Sequence, residues 1–581
     1  MTRRHKFLSA IHRPIRSAAA PLLLTALVLG GSSVVHSGTD GSAPLALAAP
    51  ARAAAHVTTG GTLVVDNATG SLWTGSFSPF SVAVNTTSLG ILYEPLMYVN
   101  IINNQITPWL ATGYRWSNGN KILTFTIRQG VKWSDGQPFS ADDVAFTFNL
   151  MKKYPALDLQ AVWSVLKSVQ ARGPNTVVMT FSQAAVPFFY YIADQDGIVA
   201  QHIWSKVKNP VTYADNNPVG TGPFLMQQSS TQTITYVRNP CYWQKGKPYL
   251  DKVLYPAFTS NNPANLYLAQ QSQTAWAYQF VPNIKTYYIS RDPVNNHYWF
   301  PPIGNVDIYI NQKVSPLSTL AVRQAMAYGI DRQRVAQIGE YGYEPAANQT
   351  GVLTPNFASW LDTKQAAQYG NNYAYNPQKA ISLLEQAGFK RNGSGIFQSP
   401  SGKPLSFSII NNAGYTDWVA SVQVIQNQLK QIGIELRPEN LAQTDWQTRL
   451  NNGQFDLAYQ SPTYGPNPYY DFHATLFSGN SAPIGQAATS NYERWISPQT
   501  DTLLNQFAAA ADSATQHALI DKLQGIMLSQ VPVIPITEQV SWDEWSTAKF
   551  VGWPTPQNPY ANPGPGALPD WEVVLLNVHL K

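Results

Sequence analysis

At 581 residues the chain is longer than one hydrophobic core supports, so two or three domains are expected. Hydrophobic residues make up 44%, but charged residues only 12%, about half the ~25% of an average soluble protein, so the surface is polar through Asn, Gln, Ser, Thr and Tyr and suits a wide range of external pH. The formal charge of +5 resides in the first 55 residues: with Arg3, Arg4, Lys6, Arg13, Arg16, Arg52 and Asp40 set aside, acids and bases balance, and nothing argues for a nucleic-acid or anionic-membrane partner.

Residues 1–55 read as an export segment. A basic stretch leads into an apolar run at 21–30, PLLLTALVLG, well short of the ~20 residues of a membrane-spanning helix. Small residues follow, with A-x-A cleavage patterns at 46–48 and 53–55. An uncleaved anchor is the competing reading. Arg3-Arg4 before Phe7-Leu8 is one residue off the spacing of a twin-arginine signal. Cys241 is the only cysteine, which excludes an intrachain disulfide and a cysteine metal site.

Residues 61–66, GTLVVD, read as the first buried strand, followed by a Gly/Ser/aromatic loop at 68–80 that contains Trp73. A helix is expected at 87–97. In 115–150 the local signals are dense. Leu123, Phe125 and Ile127 alternate with polar residues, the period of a half-buried strand. Gln129-Gly130 and Asp135-Gly136 mark turns around a short return strand at 131–133. Ser140 stands at a helix N-cap with Asp142 and Asp143 in the first turn, and Val144, Phe148 and Met151 form one apolar face. A turn at Gly173-Pro174-Asn175 introduces a strand at 176–181.

The stretch 217–226, NPVGTGPFLM, makes a tight glycine turn into a strand; with no Lys-Ser/Thr and no following helix it is not a nucleotide loop. Further on, 306–311 reads as a strand, Asp331 caps a helix, and Asn376-Pro377 opens another whose face is Ala380, Ile381, Leu384 and Ala387. Strand 405–410, helix 417–432 and strand 434–437 follow the logic of a parallel α/β sheet. Strand 455–459 opens into a Pro/Tyr-rich loop at 461–470. Residues 502–531 read as helical, 531–536 as a returning strand, 554–569 as irregular and 571–578 as a final strand.

No H-E-x-x-H, Walker A or G-x-S-x-G motif is present. Asp135 and Asp143 have turn and cap roles rather than those of an acid/base pair. His473 near Asp471 does not make a metal site. No enzyme activity, metal or cofactor is expected, and a secreted hydrolase is the enzymatic alternative.

Several strings together carry a resemblance: RQGVKW at 128–133, SDGQPFSADDVAFTF at 134–148, NPVGTGPFLM at 217–226, RNPCYW at 238–243 and VRQAMAYGIDRQRV at 322–335. In order and spacing they resemble the extracellular solute-binding proteins of family 5, receptors of the dipeptide, oligopeptide and nickel ABC importers, over nearly all of 60–550. The resemblance implies an α/β fold of the two-lobed periplasmic-binding-protein type (type II) with an extra subdomain in lobe I. It places lobe I at 56–90, 215–307 and 528–581, the inserted subdomain at 91–214 and lobe II at 308–527, with crossings near 308 and 528. It implies a monomer that closes on a small solute and docks on a membrane permease powered by a separate ATPase. Gram-positive members are usually tethered by a cysteine after the apolar run; here that place reads Leu29-Gly30-Gly31. A periplasmic or cell-surface location is expected.

In open α/β sheets ligands sit beyond the carboxyl ends of strands. That rule singles out Trp73 after the first strand, Tyr415, Asp417 and Trp418 after strand 405–410, and Tyr464, Tyr469 and Tyr470 after strand 455–459. With 17 Trp and 30 Tyr in the chain, most aromatics must be core or surface residues, so position carries the argument. Oligopeptide receptors of the family carry an Asp shortly after the strand matching 455–459, which pairs with the peptide ammonium. This chain reads PTYGPNP at 462–468, without an acid; Asp417 or Asp471 is the available substitute. A peptide is the family default, a neutral oligosaccharide of the cello-oligosaccharide kind the alternative, and a nickel or other metal chelate the third choice.

Overall fold

Strand Thr62–Asn67 lies at the middle of a seven-stranded sheet and pairs in parallel with Lys252–Pro256 on one side and Thr274–Tyr278 on the other. The computed structural model describes residues 57–67, 72–81, 88–270, 274–354, 356–462, 464–510 and 512–581. The expected export segment lies outside the described residues. Antiparallel strands complete the sheet: Thr233–Arg238 and Phe224–Ser229 at one edge, Glu544–Ser546 and Asn296–Tyr298 at the other. Leu63 and Val65 are fully buried in it, as the apolar run at 61–66 requires.

A five-stranded sheet runs in the order Glu435–Leu441, Ser406–Asn412, Leu457–Gln460, Pro302–Ile310, Val533–Val540. Its first three strands are parallel, and helix Thr416–Gln431 makes the crossover between Ser406–Asn412 and Glu435–Leu441. Pro302–Ile310 is antiparallel to both of its neighbours. The chain passes between the two sheets at 299–301 and again at 541–543. The two passages lie side by side: Trp299 N donates to Asp543 O at 3.0 Å and Ser541 N to Pro301 O at 2.8 Å. Residue 308 is therefore mid-strand and residue 528 lies within helix Ser513–Gln530, so the passages lie about seven residues before the crossing expected at 308 and about thirteen after the one expected at 528.

A third, four-stranded antiparallel sheet (Ala111–Ser117, Ile122–Ile127, Thr176–Phe181, Leu166–Ala171) packs against helix Ala141–Lys153. Ser140 caps that helix in a capping box, its Oγ accepting from Asp142 N while its own N–H donates to Asp143 Oδ2 at 2.9 Å.

Four local expectations change. Within 87–97 the described residues form turns and the start of strand Met97–Val99, because Gly90 takes φ +89° and Pro95 removes a donor. The return strand at 131–133 is reduced to one bridge, Lys132 with Pro138. Of the strand expected at 571–578, residues 571–577 lie in helix Asp570–Asn577 instead. Trp571, Val574 and Leu575 are fully buried, and a short run buried on most sides carries no period to tell helix from strand. The helical stretch expected at 502–531 is two helices, Pro498–Ala509 and Ser513–Gln530, the second capped by Asp512 accepting from Thr515 N.

Candidate functional site

Four strands point their carboxyl ends at one cavity of about 280 Å³. Tyr278 closes strand Thr274–Tyr278 of the seven-stranded sheet, and Gln279 and Phe280 follow it. The other three strands belong to the five-stranded sheet. Ser406–Asn412 leads to Tyr415, Asp417 and Trp418, Leu457–Gln460 to Gln460 and Ser461, and Val533–Val540 to Gln539 and Trp542. Gln443, Trp446 and Gln447 come from helix Gln443–Asn451, and Asn261 from the start of helix Asn261–Gln270. The cavity is thus walled from both sheets, at the strand ends where the topology leaves a crevice.

The wall is rich in amides and aromatics. Five glutamines and Asn261 supply neutral donors and acceptors, and Trp418, Trp446 and Trp542 supply indole surface. Trp418 is wedged edge-on against Tyr415 (5.1 Å between centroids), Trp446 (6.1 Å) and Tyr459 (5.5 Å), which fixes its ring. Asn412 Nδ2 donates to Gln443 Oε1 and orients that amide. Among the described residues, Asp417 is the only carboxylate in the wall and no Lys, Arg or His lines it.

Asp417 sits in the first turn of helix Thr416–Gln431, where backbone N–H groups favour its charge, and Asn261 Nδ2 donates to its Oδ1 at 3.3 Å. Burial outweighs these and pushes its carboxyl up to about 6. Two more buried acids stand close by. Glu340 Oε1 accepts from Ser421 Oγ at 2.7 Å, and Glu344 Oε2 from Thr537 Oγ1 at 2.6 Å. Burial raises both, Glu344 to about 8, and each acid raises Glu340 further by charge repulsion.

Of the sequence-predicted residues, Tyr415, Asp417 and Trp418 line the cavity together. The other four lie elsewhere. Trp73 is in the core, its Nε1 donating to Tyr255 O at 2.8 Å and its ring 4.9 Å from that of Tyr255. Tyr464 lines a separate small recess with Gly304, Leu353 and Asp471. Tyr469 is stacked on Phe507 at 4.8 Å. Tyr470 donates through its OH to Pro187 O at 2.7 Å and sits edge-on to Tyr190 and Tyr191. Asp471 accepts from Asn305 Nδ2 at 2.9 Å and is likewise outside the main cavity. The strand-end rule reaches Gln460 and Ser461 directly after strand 455–459, and Trp542 once the returning strand is followed to its end. Gln279 and Trp446 left no signal of their own in the sequence.

Comparison with known proteins agrees with this geometry. The family model of the bacterial extracellular solute-binding proteins, family 5, matches residues 105–483. The nickel-binding periplasmic protein of Escherichia coli (strain K12) is 25% identical over 463 residues, 77% of this chain and 83% of that one. The oligopeptide-binding protein AppA of Bacillus subtilis (strain 168) is 29% identical over 388 residues, 63% of this chain and 67% of its own. Among solved structures, the mannohexaose-bound periplasmic oligopeptide-binding protein of Thermotoga maritima superimposes with a TM-score of 0.82 at 27% identity, covering 90% of this chain and 98% of that one. The two-lobed α/β architecture, the position of the cavity and the match over most of the chain converge: the chain belongs to the bacterial extracellular solute-binding proteins of family 5.

Proposed function

We propose that this chain is an exported receptor whose cleft closes on an uncharged, hydroxyl-rich oligomer, an oligosaccharide, and hands it to a permease and ATPase. The observation that carries this reading is the cavity wall of five glutamines, Asn261 and three indoles, with no cationic side chain among the described residues. A free peptide brings a carboxylate that needs a buried partner, and the wall offers none. Sugar hydroxyls pair with amides, and pyranose faces pack on indoles. The Thermotoga maritima protein, solved with mannohexaose, is consistent with sugar binding on this fold. An oligopeptide is the second reading, favoured by Asp417, which is placed to meet an ammonium. Among the described residues no group of three or more His, Cys, Asp or Glu is arranged to hold a metal ion, so a nickel chelate ranks behind both.

Lobe I takes 57–90, 215–301 and 541–581 with 91–214 inserted, lobe II takes 302–540, and the paired passages at 299–301 and 541–543 serve as the hinge. Ligand that touches both lobes only when they are shut shifts the open–closed equilibrium by its differential affinity. The chain performs no catalysis and acts as a monomer outside the cytoplasm, at the cell surface or in a periplasm. No helix among the described residues is long and apolar enough to cross a membrane.

A thermal-shift panel of manno-, cello- and xylo-oligosaccharides, short peptides and nickel chelates tests the reading, because a ligand of the native state raises its melting temperature. A shift with a glycan and none with peptides supports it. A shift with peptides alone moves the assignment to the second reading, and turnover of the bound glycan removes the receptor-only role.

A further inference from the structure

The cavity is smaller than the ligand proposed for it. Its volume of about 280 Å³ lies just below the ~300–1,000 Å³ of pockets that enclose one drug-sized molecule, so an oligomer of several sugar rings must run on past its wall. The aromatic part of that wall continues outward. Phe280 and Trp542 line the cavity and meet edge-on, with ring centroids 5.6 Å apart. Phe280 also meets Tyr341 at 5.8 Å. Tyr341 lies nearly parallel to Tyr343 at 6.2 Å, and Tyr343 sits edge-on to Trp542 at 6.1 Å. Phe280 is 3% exposed and Trp542 8%, whereas Tyr341 is 51% exposed, so the aromatic bank ends in solvent.

The backbone at Tyr341 is strained. Helix Arg332–Ile338 ends in a turn that Gly342 N closes by donating to Ala336 O at 2.8 Å. Within it Tyr341 takes the left-handed conformation, φ +53°, where glycine is the default residue because a Cβ is crowded there. A bulky side chain held this way with half its surface in solvent is an outlier, and such strain gathers at ligand clamps.

We infer that Tyr341 is an outer subsite of the cleft, the platform on which a sugar ring of the ligand stacks once the oligomer has passed Phe280. The inference rests on the oligosaccharide reading and adds a length to it: the receptor favours oligomers that fill the cavity and still reach Tyr341. With Phe280 in lobe I and Tyr341 in lobe II, that outer ring bridges the lobes and adds to the ligand's preference for the closed form.

Tyr341→Gly tests this, because it removes the ring and relieves the backbone together. Calorimetric titration compares parent and variant on manno- and cello-oligosaccharides from the disaccharide to the hexasaccharide. On Tyr341→Gly the Kd of the longer oligomers should rise about fivefold while that of the disaccharide stays unchanged. Tyr341→Phe, which keeps the ring, should bind every length as the parent does. An equal loss for short and long oligomers on Tyr341→Gly overturns the platform, since it marks a disturbed cavity, and so does no loss at any length. A Tyr341→Phe variant that loses as much as Tyr341→Gly overturns stacking as its basis. A parent that binds disaccharide and hexasaccharide equally overturns the outer subsite without any variant. A parent that binds no glycan of either series sinks the reading of the cleft itself, and the subsite falls with it.

Discussion

Asn261 Nδ2 donates to Asp417 Oδ1 at 3.3 Å, joining a helix that precedes a strand of the seven-stranded sheet to one that follows a strand of the five-stranded sheet. The backbone repeats the link, with Asn261 N donating to Gly414 O at 3.4 Å. Both residues line the cavity. If the cleft closes as proposed, this pair is a latch on the closed form, made by the protein without help from the ligand.

Asn261→Ala should therefore loosen the closed state. A hydrogen bond of this length is worth about 1 kcal/mol, so the ligand Kd should rise by about fivefold. Small-angle scattering of the ligand-free variant should show a larger radius of gyration than the parent. An unchanged radius with unchanged affinity would remove the latch from the account.

Stability should fall as pH rises, the reverse of the usual carboxylate pattern. Burial pushes Asp417 up to about 6, Asp471 and Asp570 to about 7, and Glu344 to about 8. A group raised in the fold holds its proton there after the unfolded chain has released its own. Its contribution is complete below the unfolded value near ~4 and is lost as pH climbs through the folded value. His473, lowered to about 4 by burial, works in the opposite direction, adding stability above its unfolded value that is lost as pH falls. The raised acids outnumber it, so scanning calorimetry should show the melting temperature dropping between roughly pH 4 and pH 8. Glu344→Gln, which keeps an acceptor for Thr537, should flatten that slope. A melting temperature that climbs over the same range would contradict the burial argument.

The glycine turn at 217–226 exists for close packing. A Cβ on Gly220 would lie 1.8 Å from Leu92 O, and one on Gly222 would lie 2.3 Å from Ile91 O. Gly222 N donates to Leu92 O at 3.0 Å, so the approach is itself a hydrogen-bonded one. Gly220→Ala should cost at least about 3 kcal/mol, because the obstacle is backbone and cannot rotate away. Urea unfolding measures it, and a loss below about 1 kcal/mol would show that the two segments separate easily.

What could be read in the sequence was what short segments dictate by themselves. Strand Ile122–Ile127 and the capped helix Ala141–Lys153 emerge as expected because alternation, a turn residue and an N-cap act within a few residues. Helix Asp570–Asn577 was hidden because its faces are nearly all buried. The site was half legible. Tyr415, Asp417 and Trp418 follow a strand whose end points at the cavity, and the strand-end rule finds them. Gln279 and Trp542 form the facing wall only after two strands distant in sequence are brought together. Tyr469 and Tyr470 mislead for a different reason: the expected loop becomes helix Tyr469–Leu476 and turns those rings onto Phe507 and residues 187–191.

Trp73 gives the sharpest contrast with Trp446. Both are buried indoles, at 5% and 2% exposure. The N–H of Trp73 is satisfied by Tyr255 O at 2.8 Å, whereas that of Trp446 is satisfied by nothing in the protein. Trp73→Phe removes the donor of a made, buried bond. It should cost about 1–2 kcal/mol of folding stability while leaving ligand affinity unchanged, since Trp73 does not line the cavity. Chemical denaturation and calorimetric titration on the same preparation separate the two effects. If Trp73→Phe weakens ligand binding without loss of stability, the ligand reaches the loop after the first strand, and the cavity at the four strand ends is only part of the binding site.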